Sequence, residues 1–422
     1  MQRTLPDWLD YQQHLHTRGI DLGLDRVREV WQRMGAPQPA PVVITVGGTN
    51  GKGSTVAFLE AMLRAGGMRV GAYTSPHILR YNERVRSNGA DAEDEALVAA
   101  FERIETARGA DSKERVPLTY FEFGTLAAFD LFAGSNLDVA LLEVGLGGRL
   151  DAVNIVDADA AIVTTVDLDH MEYLGNDRES IGREKAGIFR SRTPAIVGEG
   201  DPPQSLLDEA TRIGARVLRA GREYTAQVQG DRWIWRSGET VLELPAPVLT
   251  APSQIGNAAA AIAALHALRD RLGWNAQAIR KGAHEAKAAG RLQRIAENPQ
   301  VIVDVAHNPQ AARELARWLD ANPVPGKTHA VFGALGDKDV AGIVQALDTC
   351  IAHWHLAGLE NDSPRGLPVA ELAQRVRESA PGASIGEHAG VRSALDAARE
   401  KALAQDRILV FGSFFVVAAA MR

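Results

Sequence analysis

The sequence predicts two α/β domains: a mostly parallel sheet domain of the P-loop type over residues 1–289, followed by a smaller Rossmann-like α/β domain over residues 290–422. Three observations lead to this fold class. Apolar, β-branched runs alternate with segments of helical spacing along most of the chain. The first such run ends in a glycine-rich turn at residues 47–53. The alternation restarts after Ala289-Gly290, where we place the domain boundary.

The composition is that of an ordinary globular protein. The chain has 422 residues, of which 45% are hydrophobic and 23% charged, and this length exceeds one hydrophobic core. A net charge of −7 without a long basic run argues against a non-specific nucleic-acid or membrane-surface binder. Cys350 is the single cysteine, which excludes an intramolecular disulfide and a cysteine metal cage. Residues 1–30 contain no visible signal peptide, and the apolar runs are too short for a bilayer, so we expect a cytoplasmic protein.

The first domain is predicted to begin with two helices and then to alternate strands with helices. Its predicted strands are 42–46, 69–74, 138–144, 160–166 and 195–197, with a hairpin over 224–244 that turns at Ser237-Gly238. Its predicted helices are 7–16, a second one ending near Met34, one following the glycine-rich turn, 93–108, 119–133, 178–189, 253–271 and 276–288. The nearly continuous apolar strands are typical of a parallel sheet covered on both faces.

The second domain repeats the alternation over a shorter length. Its predicted strands are 301–305, 329–332, 351–356 and 408–411. Its predicted helices are 309–319, 340–347, 369–379, 391–404 and 414–421. Alternating strands and helices of this kind indicate a doubly wound, Rossmann-like sheet.

The glycine-rich turn is the strongest functional signal. Glycines allow backbone N–H groups to converge on a phosphate, and the helix that follows adds its positive dipole end. Lys52 is placed to reach the β- and γ-phosphates of a nucleotide, and the hydroxyl of Ser54 to face Mg²⁺. The pattern is irregular because Gly53 separates the lysine from that hydroxyl. The competing interpretation is a purely structural turn.

Three polar residues follow predicted strands at the sheet edge where α/β proteins build their sites: Ser75, Glu143 and His170. Glu143 finishes an apolar strand, where an unpartnered carboxylate is costly and a Mg²⁺-binding acid is common in phosphate-loop enzymes. Serine and glutamate oxygens suit Mg²⁺, whereas histidine is a less usual ligand. From position alone, His170 is better explained as a hydrogen-bonded turn residue.

Other polar residues allow two interpretations each. Lys185 on a predicted helix is, by itself, best explained as a solvated lysine. Asp304 and Asn308 could hydrogen-bond a ribose or an amino group, but Asn308 before Pro309 also fits a helix N-cap. Two further candidate binding residues are Asn257, near a helix start, and Arg291, at the domain boundary.

Taken together, the motifs resemble a known family. The glycine-rich turn resembles the ATP loop of the Mur ligase superfamily, and Gly53 is typical of its folylpolyglutamate synthase branch. Segments matching that branch follow in order, so that the resemblance covers essentially the whole chain: 143–151, 168–170, 184–188 and 304–309. Two further segments, 20–26 and 118–122, resemble the bacterial bifunctional dihydrofolate synthase/folylpolyglutamate synthases.

The resemblance implies an ATP-dependent amide ligase. In this family a pteroate or folate carboxylate attacks the γ-phosphate of ATP, and the amino group of L-glutamate then displaces phosphate from the acyl phosphate. The implied cofactors are ATP and Mg²⁺, as two ions, with Lys185 carbamylated by CO₂. The implied partners are dihydropteroate, folates and L-glutamate, without nucleic acid or membrane, and a monomer is expected.

The resemblance also implies a role for individual residues. The implied catalytic residues are Lys52, Lys185, His170 and His307. The implied ATP contacts are Asn50, Gly51, Lys52, Gly53, Ser54, Asn257, Arg291 and Asp304. The implied metal ligands are Ser54, Ser75, Glu143 and His170. The implied contacts to the pterin substrate are Ile20, Asp21, Thr119, Tyr120, Phe121, Glu122, Leu150, Asp151 and Ala152, while His307 and Asn308 are assigned to the glutamate side.

Three other functions compete with the bifunctional enzyme. A monofunctional folylpolyglutamate synthase lacks the dihydropteroate pocket that residues 21–24 would help to form. A phosphate-loop switch module would bind or hydrolyse nucleotide without responding to pterin and glutamate, and the motifs at Lys185 and Asp304 argue against it. A cell-wall Mur ligase is disfavoured by Gly53 and by the pterin-side segments.

Overall fold

The computed structural model describes residues 3–16, 19–109 and 115–422. The chain forms two compact units. The first comprises Met1–Val248 and Ile255–Lys287, and the second comprises Leu249–Gln254 and Ala288–Arg422. No helix in the described ranges is both long and apolar enough to cross a membrane.

The first unit is built on an eight-stranded sheet. Its strands are β1 (Val42–Gly47), β2 (Val70–Tyr73), β3 (Val85–Ser87), β4 (Ala90–Asp91), β5 (Val139–Glu143), β6 (Ala160–Val163), β7 (Pro194–Val197) and β8 (Arg216–Arg219). They lie in the order β4-β3-β2-β5-β1-β6-β7-β8. Only β3 and β4 pair antiparallel with their neighbours in this sheet, which confirms the mostly parallel sheet.

Helices cover this sheet, and the strands β1, β2, β5, β6 and β7 are buried at every position. The helices that lie wholly or mainly in the first unit are α1 (Leu5–Leu15), α2 (Asp25–Arg33), α3 (Lys52–Ala65), α4 (Asp94–Ala107), α5 (Tyr120–Ala133), α6 (Met171–Leu174), α7 (Arg178–Ala186), α8 (Gln204–Ile213), α9 (Ser253–Ala267), α10 (Arg269–Leu272) and α11 (Ala276–Glu285). Because both faces are covered, the strand sequences are continuously apolar rather than alternating.

The predicted hairpin is one part of a three-stranded antiparallel sheet in the first unit. Its strands are β9 (Thr225–Gln229), β10 (Arg232–Ser237) and β11 (Thr240–Pro245), with β10 in the centre. The turn lies at Gly238-Glu239, one residue after the predicted position, since Ser237 still pairs with Thr240. Trp233 and Trp235 on β10 are fully buried, and their indole N–H groups donate to the carbonyls of Pro245 and Ala259. These bonds satisfy the polar part of two large apolar side chains.

The second unit contains a six-stranded sheet in the order β12-β13-β17-β14-β15-β16. Its strands are β12 (Gln293–Glu297), β13 (Gln300–Asp304), β14 (Thr328–Phe332), β15 (His353–Ala357), β16 (Ile385–His388) and β17 (Arg407–Phe411). Its helices are α12 (Pro309–Ala321), α13 (Val340–Leu347), α14 (Val369–Ser379), α15 (Val391–Lys401) and α16 (Phe414–Met421). All pairings except β12 with β13 are parallel, which confirms the Rossmann-like sheet.

Some elements differ from the sequence prediction. The strand predicted to reach Val166 ends at Val163, and the helix predicted to reach Arg271 ends at Ala267, with α10 following it. A 3₁₀ helix at Tyr81–Arg84 lies in a segment for which the sequence predicts no regular element. The strands β3, β4, β8, β12 and β16 and the helices α6 and α8 were not predicted. The residues of these strands are largely half-exposed or exposed, so the strands lack the apolar signature of the central ones.

Candidate active site

The glycine-rich turn connects β1 to α3 and adopts the strained backbone that glycine permits. Gly48 and Gly51 have φ of +142° and +88°, and Gly51 is the N-cap of α3. A Cβ on Gly48 would lie 1.8 Å from Oγ1 of Thr164, so only glycine fits there. Thr164 fixes the loop by donating to the carbonyl of Asn50 over 2.6 Å. The N–H of Asn50 donates to Oγ1 of Thr165 over 3.2 Å.

Charged and hydroxyl groups at the start of α3 suit a phosphate ligand. Lys52 Nζ donates to the carbonyls of Gly48 and Thr49, over 3.0 and 3.1 Å, so its ammonium lies over the loop. Ser54 and Thr55 are buried, and neither hydroxyl has a hydrogen-bond partner among the described residues. Buried hydroxyls without partners are costly, and phosphate oxygens with Mg²⁺ at this helix start would satisfy them.

Asn257 of α9 lies against the glycine-rich turn. A Cβ on Gly51 would come within 2.4 Å of its Oδ1. Asn257 is also buried. The structure therefore brings this predicted ATP contact to the phosphate loop, across more than 200 residues of sequence.

Two of the predicted metal ligands are neighbours. Glu143 ends β5, is buried, and accepts a hydrogen bond from the backbone N–H of Ser75 over 3.2 Å. His170 is the N-cap of α6 with φ of +51°, and it follows β6 in the same sheet. Within the described ranges, no group of three or more His, Cys, Asp and Glu side chains converges as metal ligands. A Mg²⁺ ion here would depend on serine and phosphate oxygens in addition to Glu143, which matches the oxygen-rich coordination that Mg²⁺ prefers.

Lys185 is a buried cation on the last turn of α7. Burial, followed by the nearby charge of Lys52, lowers the pKa of Lys185 to about 7, although the carboxylates of Asp169 and Asp151 oppose this shift. The interpretation as a solvated helix lysine is therefore wrong. A lysine with a pKa near 7 is partly an uncharged, nucleophilic amine at neutral pH.

The start of α5 is tied to the N-terminal segment by an arginine. Thr119 and Glu122 form a capping box, in which the N–H of Thr119 donates to Glu122 over 2.7 Å. Arg26 of α2 contacts the other oxygen of Glu122 over 3.1 Å and the carboxylate of Asp21 over 2.6 Å. Asp21 and Arg26 thus form one charged cluster with Glu122, which lies 96 positions after Arg26, and the cluster joins two predicted substrate segments.

The loop after β5 supplies the rest of the predicted substrate region. Asp151 is buried and accepts N–H bonds from Leu146 over 2.8 Å and from Val153 over 3.0 Å. Burial raises the pKa of Asp151 to about 6 despite these bonds. Phe121 packs against the same loop, since a Cβ on Gly145 would lie 2.6 Å from its ring. The remaining members Ile20, Tyr120 and Leu150 are half-buried, and Ala152 is buried.

The second unit groups its own predicted residues where β13 ends. Asp304 is buried, and its carboxylate accepts the N–H groups of Leu292 and Ala306, each over 2.8 Å. Burial raises the pKa of Asp304, and the charge of Arg291 opposes the shift. The guanidinium of Arg291 lies over the ring of Phe414, 5.6 Å from its centroid.

His307 and Asn308 lead into α12. Nδ1 of His307 is 2.8 Å from the carbonyl of Val305, and its ring packs beside Phe414. Asn308 is the N-cap of α12, with Oδ1 accepting the N–H of Ala311 over 3.0 Å. The capping interpretation of Asn308 is therefore the one that the structure supports, and a direct role toward glutamate stays a prediction.

Family models match both units of the chain. The model described as "Mur ligase middle domain" matches residues 46–265, and the model described as "Mur ligase, glutamate ligase domain" matches residues 290–414. The dihydrofolate synthase/folylpolyglutamate synthase of Escherichia coli (strain K12) is 47% identical over 418 residues, which cover 99% of this chain and 94% of the relative.

The chain belongs to the dihydrofolate synthase/folylpolyglutamate synthases of the Mur ligase family.

Solved structures of this family superpose along the whole chain. One is described as E. coli FolC in complex with DHPP and ADP, with a TM-score of 0.92, 47% identity and coverage of 99% of this chain and 97% of that one. Another is a bifunctional synthase with Mn, AMPPNP and L-glutamate bound, with a TM-score of 0.90, 46% identity and coverage of 99% and 97%. As a member of this family, the chain is an ADP-forming ligase.

In this member of the family, the structure also shows contacts around the predicted substrate region that no sequence motif indicates. Arg26 was noted only as part of a motif, yet it links Asp21 to Glu122. Arg84 belongs to no sequence motif, and its guanidinium lies near the rings of Tyr81 and Tyr120. The contacts of Arg26 with Glu122 and of Arg84 with Tyr120 join residues far apart in sequence, so no local pattern predicts them.

Proposed function

We propose that this chain uses ATP to add L-glutamate to dihydropteroate, forming dihydrofolate, and to folates, forming polyglutamates. One observation carries the proposal: a single compact unit holds the phosphate loop and the Asp21–Arg26–Glu122 cluster that joins the two segments resembling the bifunctional enzymes. Relatives that bind ADP with DHPP, or AMPPNP with Mn and L-glutamate, support it.

The reaction divides into two steps. A carboxylate oxygen of the pterin substrate attacks the γ-phosphorus, and the bond to the β,γ-bridging oxygen breaks, which gives an acyl phosphate and ADP. The amino nitrogen of glutamate then attacks the acyl carbon, loses a proton, and expels phosphate as the amide forms. Positioning and charge neutralisation provide most of the catalysis in phosphoryl transfer, so the residues that hold the phosphates matter most.

In the first unit, we assign the phosphates of ATP to the backbone of residues 50–53 and to the ammonium of Lys52. The carbonyl contacts of this ammonium hold it over the loop, where negative charge would develop. Mg²⁺, when bound, neutralises phosphate charge. The residues that we assign to hold two such ions are Ser54, Ser75, Glu143 and His170. Asn257, packed against the loop, is assigned to the nucleotide.

We assign Lys185 as a carbamylated residue. A pKa near 7 leaves a large share of uncharged amine at neutral pH, and this is the form that adds to CO₂. Addition converts a buried cation beside Lys52 into an anion, which removes a repulsion and favours nearby metal ions. Both effects support the proposal.

The pterin substrate is assigned to the start of α5 and the loop after β5. Aromatic rings suit a flat pterin and benzoate, and Asp151 suits the N–H donors of a pterin ring. The assigned contacts are Ile20, Asp21, Thr119, Tyr120, Phe121, Glu122, Leu150, Asp151 and Ala152.

We propose that residues 1–289 bind ATP and pterin, and that residues 290–422 contribute the remaining ATP contacts, Arg291 and Asp304. His307 is proposed to assist at the glutamate side. Withdrawal of the acyl phosphate from water is required for amide formation, because water would otherwise hydrolyse it. A monomeric state and a cytoplasmic location stay predictions.

The experiment that separates this function from a monofunctional folylpolyglutamate synthase uses the purified chain with dihydropteroate, L-glutamate and ATP. We expect dihydrofolate, ADP and phosphate in equal amounts. Polyglutamate formation from a reduced folate without any dihydrofolate from dihydropteroate would establish the monofunctional enzyme instead.

The phosphate role is tested by Lys52→Ala. We expect turnover to be abolished while the thermal unfolding temperature is retained, because the ammonium donates to loop carbonyls on the side where the phosphates are proposed to bind. Lys281→Ala, an exposed lysine on α11, serves as the control. Near-normal activity of Lys52→Ala would exclude the proposed phosphate role.

A further inference from the structure

Arg84 is a half-buried arginine at the edge of the predicted substrate region. It ends the 3₁₀ helix Tyr81–Arg84, and its carbonyl accepts the N–H of Thr74 over 2.9 Å. This bond anchors Arg84 directly beside the segment that carries Ser75. The side chain extends toward Tyr120, the first residue of α5.

Three side chains hold the guanidinium of Arg84 in place. Its Cζ lies 5.3 Å from the ring centroid of Tyr81 and 5.4 Å from that of Tyr120. Its Nε donates to Nδ1 of His77 over 2.9 Å. Cation–π contacts and this hydrogen bond fix the plane of the guanidinium, so little side-chain entropy remains to be lost when a ligand binds.

The charge of Arg84 has no carboxylate partner. In the described residues, no Asp or Glu oxygen lies within ion-pair distance of its guanidinium, and its two terminal nitrogens make no protein hydrogen bond. Other arginines nearby are neutralised: Arg86 pairs with Glu60 over 2.9 Å, and Arg26 pairs with Asp21. A fixed guanidinium with two unused nitrogens suits the bidentate binding of a carboxylate.

The two pterin substrates of the proposed function, on which this inference rests, differ by one carboxylate group. Dihydropteroate has a single carboxylate, which reacts. A folate ends in glutamate, whose γ-carboxylate reacts and whose α-carboxylate stays behind as a second anion within a few bonds. An anion in a partly desolvated site requires a cation. The other cations nearby are engaged: Lys52 is assigned to phosphate and Lys185 to the carbamate, whereas Arg26, Arg80, Arg86 and Arg149 pair with carboxylates. Arg84 is the cation of this described region without such a role.

We propose that Arg84 binds the α-carboxylate of the terminal glutamate of a folate substrate. It thereby determines the use of folates without being required for dihydropteroate. His77 acts as a positioning residue, because it orients the guanidinium and has no assigned contact with substrate.

The kinetic test compares two substrates on one variant of the full chain. For Arg84→Gln we expect the KM for tetrahydrofolate monoglutamate to rise roughly 10- to 100-fold, the loss of one charge-assisted carboxylate contact, with the KM for dihydropteroate unchanged. For Arg84→Lys we expect a KM for tetrahydrofolate monoglutamate between those of the wild type and Arg84→Gln. Lysine keeps the positive charge but cannot bind the carboxylate through two nitrogens of one guanidinium. Arg80→Gln, an exposed arginine of the same segment paired with Asp94, is the matched control and should change neither KM. Equal losses for both substrates, or no change for either, would overturn the proposal.

A binding test does not depend on turnover and so separates this inference from the proposed function. Calorimetry would compare tetrahydrofolate with its α-carboxamide on the wild-type chain and on Arg84→Gln. We expect the wild type to bind the carboxamide roughly 10-fold or more weakly, and Arg84→Gln to bind both ligands alike. If the variant still prefers the carboxylate to the same degree, Arg84 is not its partner. An absence of catalysis in the wild type would refute the proposed function and leave this comparison interpretable.

Discussion

The carboxylate of Glu143 accepts the backbone N–H of Ser75 over 3.2 Å. The contact follows from the sheet, because β5 and β2 are parallel neighbours with Leu142 opposite Tyr73. Both strands therefore end at the same edge of the sheet, where Glu143 at the end of β5 contacts Ser75 just after β2. A buried carboxylate and a hydroxyl next to the phosphate loop form the oxygen-rich surroundings that Mg²⁺ requires.

Glu143→Gln tests this arrangement with little change in shape. The amide oxygen still accepts the N–H of Ser75, whereas the negative charge is lost. We expect activity to fall at least about 100-fold at moderate Mg²⁺, with partial recovery at high Mg²⁺, because the variant binds the ion more weakly. The measurement is a Mg²⁺ titration of initial rates. Glu209→Gln on α8 is the control, and an unchanged Mg²⁺ requirement in Glu143→Gln would contradict the metal role.

Gly48→Ala tests the geometry of the phosphate loop. The new Cβ would lie 1.8 Å from Oγ1 of Thr164 at a φ of +142°, so the loop must shift. We expect ATP binding to be lost in calorimetry. Gly67→Ala is a matched control: its φ is +83°, yet no atom lies within 4 Å of the added Cβ. Both variants carry backbone strain of about 1–3 kcal/mol, so both should melt at a lower temperature. Only Gly48→Ala should fail to bind ATP. If Gly48→Ala still bound ATP, the loop would have accommodated the added methyl group.

The sequence predicted the central strands and the phosphate loop because their physical causes are local. A strand buried on both faces must be apolar throughout, as β1 and β5 are, and a loop that cradles phosphate must contain glycine. The edge strands β12 and β16 were missed, since their half-exposed residues carry no such signature. Edge strands depend on their pairing partner more than on their own sequence.

The residues of the candidate site likewise fall into those that the sequence predicted and those that it did not. Residues with a motif, such as Lys52 and Glu143, were found from sequence. Arg26 and Arg84 were not assigned, because their significance lies in contacts with α5 that involve residues 96 and 36 positions away along the chain. Lys185 was assigned through resemblance alone, since its burial depends on the folded surroundings of α7.

Lys185→Ala tests the carbamate. The variant lacks the amine that adds to CO₂, so we expect activity to fall at least about 100-fold. Added short carboxylic acids such as acetate should restore part of the activity, because a small carboxylate fits the space of the missing carbamate. The assay measures ADP formation with and without the acid. Lys185→Arg, which keeps a cation in place, should show no recovery, and full activity of Lys185→Ala without acid would exclude the carbamate.

A row of histidines in the second unit has a separate consequence for stability. His329 and His353 lie opposite each other on β14 and β15, and Nδ1 of His355 is 3.4 Å from Nε2 of His388 on β16. Burial, followed by the charge that His388 would carry, lowers the pKa of His355 to about 4. The other charged groups facing this row are Lys401 of α15, Lys327 and Asp406.

We predict that the second unit loses stability as the pH falls from about 6.5 to 4. In this window His355 of the unfolded chain takes up a proton, whereas the folded chain resists doing so. The unfolded state therefore binds more protons, and the free energy of unfolding decreases with falling pH. Hydrogen exchange of the β15 amides, corrected for intrinsic rates, should report this loss. His355→Gln should reduce the pH dependence of this stability, whereas the control His14→Gln, at an exposed position of α1, should leave it unchanged. If stability varied with pH equally in the wild type and in His355→Gln, other groups would cause the acid sensitivity.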